Sequence, residues 1–119
     1  MWRPANPAKP KAGVRLCDVQ ELEDPGSKGF WFEEGLAVFA GLVVRQGETV
    51  RGYLNTCPHA NWQLGVQGDF LSPDRRYVYC AGHAALFRVS DGKCVAGPSM
   101  SDQLYEWPVE VREGAIYTV

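Results

Sequence analysis

TCPHANWQLGVQGDFLSPDRRYVYCAGHAALFRVSDGKCVAGP, residues 56–98, contains both histidines of the chain. Each follows a cysteine by two or three positions, in Cys57-Pro58-His59 and Cys80-Ala81-Gly82-His83. Two ligands so spaced on a tight turn face one point, because the turn brings their Cβ vectors together, and two such turns clamp a metal centre. The first turn closes the β-like run Thr49 to Asn55, and the second follows Tyr77 to Tyr79. If those runs are neighbouring strands, their tips meet at one end of the domain.

Outward from this stretch, Gly, Pro and Asp-Gly punctuate short runs rich in Val, Tyr, Phe and Leu, and none of the runs sustains a helical period. The pattern is all-β. Strands are expected at Val14 to Val19, Phe30 to Glu33, Leu36 to Val44, Thr49 to Asn55, Tyr77 to Cys80, Ala85 to Val89, Lys93 to Ala96, Tyr105 to Arg112 and Ala115 to Val119. Gln46-Gly47, Asp91-Gly92 and Glu113-Gly114 supply hairpin turns, Asp-Gly being the strongest signal. Ala60 to Pro73, with Gly65, Gly68, Ser72 and Pro73, reads as a long structured loop of the kind that carries function. Trp31, Phe32, Phe39, Tyr53 and Tyr79 lie in β runs and are expected in the core or on sheet faces.

With 119 residues the chain has room for one domain and one core, not for a second catalytic domain beside it. A formal net charge of -2 gives no reason to propose nucleic acid or a membrane surface as partner. Residues 1–12, rich in proline and without an apolar core segment, read as a flexible tail of a cytoplasmic protein rather than a signal peptide or anchor. Residues 13–119 form the single domain. Cys17 and Cys94 stand apart from the Cys/His pairs and read as buried core thiols rather than ligands. Arg75, Arg76, Arg88 and Lys93 read first as solvated surface, with recognition of an acidic partner as the alternative.

The Cys-x-His, spacer, Cys-x-x-His pattern resembles the motif of Rieske [2Fe–2S] ferredoxins. The likeness extends through Leu64-Gly65, Leu86-Phe87, Asp91-Gly92 and Gly97-Pro98, all in the family's order. It implies a Rieske-like fold of stacked antiparallel sheets, with a cluster-binding subdomain at about 56–98 inserted into a base domain. It further implies one [2Fe–2S] cluster, with Cys57 and Cys80 on one iron and His59 and His83 on the other. Two ferric ions, two sulfides and two thiolates sum to zero charge, so neutral imidazoles in place of two further thiolates make reduction easier. Gly97-Pro98 is expected to form a third loop covering the cluster.

Departures from the pattern refine these expectations. The positions of the extra, disulfide-forming cysteines of respiratory Rieske proteins are Trp62 and Gly82 here, so that bridge cannot form. Where those proteins place hydroxyls after the last ligand, this chain reads Ala84-Ala85-Leu86-Phe87. Fewer hydrogen bonds to sulfur lower the potential toward the bottom of the Rieske range. Ala84 also stands where the family commonly has Gly.

A structural zinc site is the competing reading of the four ligands, since Cys₂His₂ suits tetrahedral zinc. Zinc fingers usually pair Cys with Cys and His with His, whereas mixed pairs on two β-loops fit the diiron cluster. Functionally, the resemblance implies a monomeric one-electron carrier between a flavin-containing reductase and a terminal oxygenase or similar acceptor. The alternative is the small cluster-bearing subunit of a larger oxidoreductase, as in nitrite reductase. Catalysis by this chain alone is not expected, because a mononuclear iron site would need histidines already used by the cluster.

Overall fold

A computed structural model describes residues 6–56, 64, 70–80, 84–97 and 102–119. The strands are β1 (Arg15–Asp18), β2 (Gly26–Glu34), β3 (Ala37–Gln46), β4 (Thr49–Leu54), β5 (Tyr77–Cys80), β6 (Ala85–Arg88), β7 (Cys94–Ala96), β8 (Val109–Arg112) and β9 (Ala115–Thr118). The one helical element among the described residues is a 3₁₀ turn at Val19–Glu21. The strands form three antiparallel three-stranded sheets, ordered β1-β9-β8, β2-β3-β4 and β5-β6-β7. The all-β expectation is borne out, and the third sheet is inserted in sequence between β4 and β8.

β3 organises the molecule. Its residues 41–44 are all buried, because the strand is covered on both faces and so reads as a nearly continuous apolar run. Leu42 and Val44 face a core shared with Tyr53, Leu64, Phe70, Val78, Cys80, Ala85 and Phe87, which joins the β2-β3-β4 sheet to the β5-β6-β7 sheet. Phe39 and Val43 face a second core with Cys17, Leu22, Trp107 and Ile116, which joins it to the β1-β9-β8 sheet. Gly41 makes room for that packing. A Cβ there would lie 2.4 Å from Trp107 Cε3, so the indole rests directly on the strand backbone. Phe30, Phe32 and Phe39 ring the same indole, with centroids 5.1–6.3 Å away.

Two strand starts differ clearly from expectation. β2 begins at Gly26, not Phe30: its glycines read as breakers in sequence, but a Cβ at Gly29 would stand 3.0 Å from the Phe70 ring, so the absence of a side chain admits that ring. β8 begins at Val109, not Tyr105. Leu54 N donates to Tyr105 O at 2.8 Å and Trp107 N to Gly52 O at 2.9 Å, so residues 105–107 pair with β4 instead. Pro108, with no N–H, separates the two pairings. Of the two readings for Trp31, core or sheet face, the structure has it on a sheet face, 55% exposed on β2, while Trp107 is buried in the second core. Within residues 6–12, Ala8 joins the second core. Ala8 is buried, Asn6 Nδ2 donates to Val38 O at 2.8 Å, and Thr118 Oγ1 donates to Lys11 O at 2.6 Å.

Candidate metal centre

Of the four expected ligands, Cys80 is placed by the structure, while Cys57, His59 and His83 fall outside the described residues. Cys80 ends β5, is wholly buried, and stands opposite Ala85 at the start of β6. The hairpin between them therefore carries His83. Ala84, the last residue of that hairpin, has a φ of 56°, a left-handed conformation that glycine adopts without penalty. Ala84 takes this conformation as a non-glycine residue.

The first pair is framed from its borders. β4 ends at Leu54, and Asn55 N donates to Ala40 O of β3 at 3.0 Å. The Asn55 Oδ1 accepts from Leu64 N at 2.8 Å, nine positions further on. Cys57 and His59 lie between these two residues in sequence. Leu64 is buried in the same core as Cys80 and Ala85, so the residue that closes this stretch and the placed cysteine share one region. Asn55 was not anticipated. Its local signal is an Asn at a strand end ahead of a loop, where a short amide side chain readily bonds nearby backbone.

Gly97 borders the third expected loop. A Cβ on it would meet Ala85 Cα at 2.8 Å and Ala84 O at 3.1 Å, and its φ is 96°. The segment thus leaves β7 in close backbone contact with the end of the second ligand hairpin. Pro98 lies outside the described residues, so its covering role stays an expectation.

The remaining cysteines, Cys17 and Cys94, are buried, as expected, and unbridged. Burial pushes the Cys17 thiol pKa up, with the Glu21 carboxylate adding to the shift, so thiolate chemistry there is disfavoured. Cys94 Sγ donates to Ala96 O at 3.2 Å. Arg88 pairs with Asp91 through two contacts of 3.1 and 2.6 Å, and Lys93 N donates to the same carboxylate at 3.0 Å. Hydrogen bonding to Arg88, then to the Lys93 backbone, holds the Asp91 carboxyl below the usual range. Arg75 donates to Pro25 O at 3.0 Å and lies 3.6 Å from Glu23. Arg88 and Arg75 thus make intramolecular contacts.

The site suits a soft metal centre. The described residues offer a fully buried thiol at the end of β5, an apolar core that contains both that thiol and Leu64, and a glycine whose missing Cβ admits the Ala84–Ala85 backbone. The model of the family described as Rieske [2Fe–2S] domain matches residues 13–111. No curated protein sequence matches the chain. Among solved structures, the chain is similar to the ferredoxin of carbazole 1,9a-dioxygenase from Nocardioides aromaticivorans IC177. That match has 24% identity and TM-score 0.69, over 91% of this chain and 97% of that one. The Sphingomonas yanoikuyae B1 ferredoxin is similar at 23% identity and TM-score 0.64, over 89% of this chain and 96% of that one. A chain in the reduced complex between oxygenase and ferredoxin in carbazole 1,9a-dioxygenase matches at 18% identity and TM-score 0.68, covering 90% of this chain but 28% of that one. At these identities the likeness shows a common fold.

Proposed function

Because the chain belongs to the Rieske [2Fe–2S] domain family, we propose that it is a one-electron carrier whose single cluster is held by Cys57, His59, Cys80 and His83. Cys57 and Cys80 bind one iron as thiolates, and His59 and His83 bind the other through neutral imidazoles. When bound, the cluster supplies reversible one-electron chemistry at a potential set by ligand charge and by hydrogen bonds to sulfur. The protein supplies a dry thiolate site and a rigid frame. The observation that carries this reading is Cys80, fully buried at the end of β5 in the core that also contains Leu64 and Ala85. Cluster binding is assigned to residues about 56–98 of a single domain, 13–119.

The electron comes from a flavin-containing reductase and goes to a terminal oxygenase or a similar acceptor. The ferredoxins of dioxygenase systems support this assignment, since one of them is matched over 97% of its length. Among the described residues no helix is long and apolar enough to cross a membrane, and a cytoplasmic monomer is the proposed state. Absorption and EPR spectra of the purified protein, with iron and sulfide analysis, test the centre. Two irons and two sulfides per chain are expected; zinc without sulfide would replace this reading with a structural site.

A permanent subunit of a larger oxidoreductase is favoured by one observation. Trp31, Val38 and Leu36, on the β2-β3 hairpin, are 55, 40 and 103% exposed. A transient carrier runs as a monomer on a sizing column, whereas a permanent subunit co-elutes with its large partner.

A further inference from the structure

We propose that Asn55 is a positioning residue for the first ligand segment, holding its two ends together before any iron is bound. The inference rests on the cluster reading above, since it gives Cys57 and His59 the ligand roles. Asn55 is fixed on one side by its N–H bond to Ala40 O of the central strand β3. On the other side its Oδ1 accepts from Leu64 N at 2.8 Å. Leu64 is itself buried, in the core that also contains Cys80 and Ala85. One short amide side chain therefore ties the exit of β4 to a core residue nine positions later.

Closing a loop costs chain entropy, and a ligand set that must order itself as the metal binds loses affinity by that amount. A hydrogen bond that holds Asn55 and Leu64 together narrows the loop ensemble between them, and so lowers the ordering cost of metal binding. A residue that orients ligands without touching the metal tunes both affinity and electronic environment.

The test compares wild type, Asn55→Ala and Asn55→Asp by amide exchange at Leu64, iron retention under a chelator, and the EPR spectrum of the reduced protein. Alanine removes the acceptor. Leu64 exchange is expected to quicken about ten-fold, the factor corresponding to ~1.4 kcal/mol, within the net worth of one hydrogen bond. Iron loss should accelerate and the EPR lines broaden, while amides of β8 and β9 keep their exchange rates. Aspartate keeps an acceptor oxygen and should restore Leu64 protection, iron retention and line shape. Unchanged exchange, retention and line shape in Asn55→Ala would overturn the proposal. Equal damage by alanine and aspartate, or equal acceleration in β8 and β9, would overturn it too. If wild type shows no iron–sulfur signal, the cluster reading fails separately. The Leu64 comparison then still decides, on metal-free protein, whether Asn55 pins the segment.

Discussion

Ala84 carries a φ of 56° one residue after His83. An L residue in this region costs about 1–2 kcal/mol, whereas glycine there loses about 0.5–1 kcal/mol more chain entropy on folding. Ala84→Gly is therefore expected to stabilise the protein by about 0.5 kcal/mol, seen as a higher urea midpoint at unchanged slope. Ligand exchange is decided at the same scale. His83→Cys puts a thiolate where a neutral imidazole is proposed, adds one negative charge, and should shift the potential negative from a starting value of about −150 mV, the low end of the Rieske range. Protein-film voltammetry reads this directly, and an intact cluster at an unchanged potential would remove His83 from the ligand set. Cys80→Ser should impair assembly, because a hard oxygen replaces a soft sulfur, and iron content after purification reports it.

At the scale of elements, the Cys/His pairs and the hairpin turns were legible because their determinants are local. Asp91-Gly92 has its glycine at φ 74°, the conformation that Asp-Gly hairpin turns require, and Lys93 N caps the Asp91 carboxylate. The extent of β2 was not legible. Gly26 and Gly29 signal interruption until Phe70, distant in sequence, is seen filling the space beside Gly29, and the Glu23 backbone the space beside Gly26. Gly41 has the same character in β3. Gly41→Ala would drive a methyl into the Trp107 ring, 2.4 Å from Cε3, and overpacking of this kind costs about 1–3 kcal/mol. A lower melting temperature with an altered tryptophan emission spectrum is the expected result.

At the scale of the whole molecule, Tyr53 joins the two parts of the fold. It sits on β4, and its hydroxyl donates to Val89 O at 2.7 Å, just beyond β6. Its ring lies against the β6-β7 turn, where a Cβ at Gly92 would stand 2.8 Å from Cε1. Burial pushes its pKa up to about 12 from 10.0. Between those values the folded protein keeps a proton that the unfolded chain has lost, so the associated stability is complete below pH 10 and falls as pH rises toward 12. Tyr53→Phe should cost about 1 kcal/mol at neutral pH by leaving the Val89 carbonyl without this donor. The wild-type advantage should shrink on going from pH 9 to about pH 11. Urea titrations at the two pH values check both effects.

Alternation of apolar residues, turn dipeptides and the two Cys/His pairs by themselves determined the all-β class, the identity of the strands and the candidate ligands, because each signal acts over two to ten neighbouring residues. Only the tertiary structure decided that Trp107 rather than Trp31 fills the second core, since burial depends on which strand crosses which face. The burial of Ala8 was likewise invisible, because a lone alanine has too little apolar surface to signal it, and it joins the core that contains Phe39 and Ile116. Asn55 belongs with these. Its hydrogen bond to Leu64 N exists because β3 holds one end and the shared core holds the other, and neither constraint is written in the residues between them.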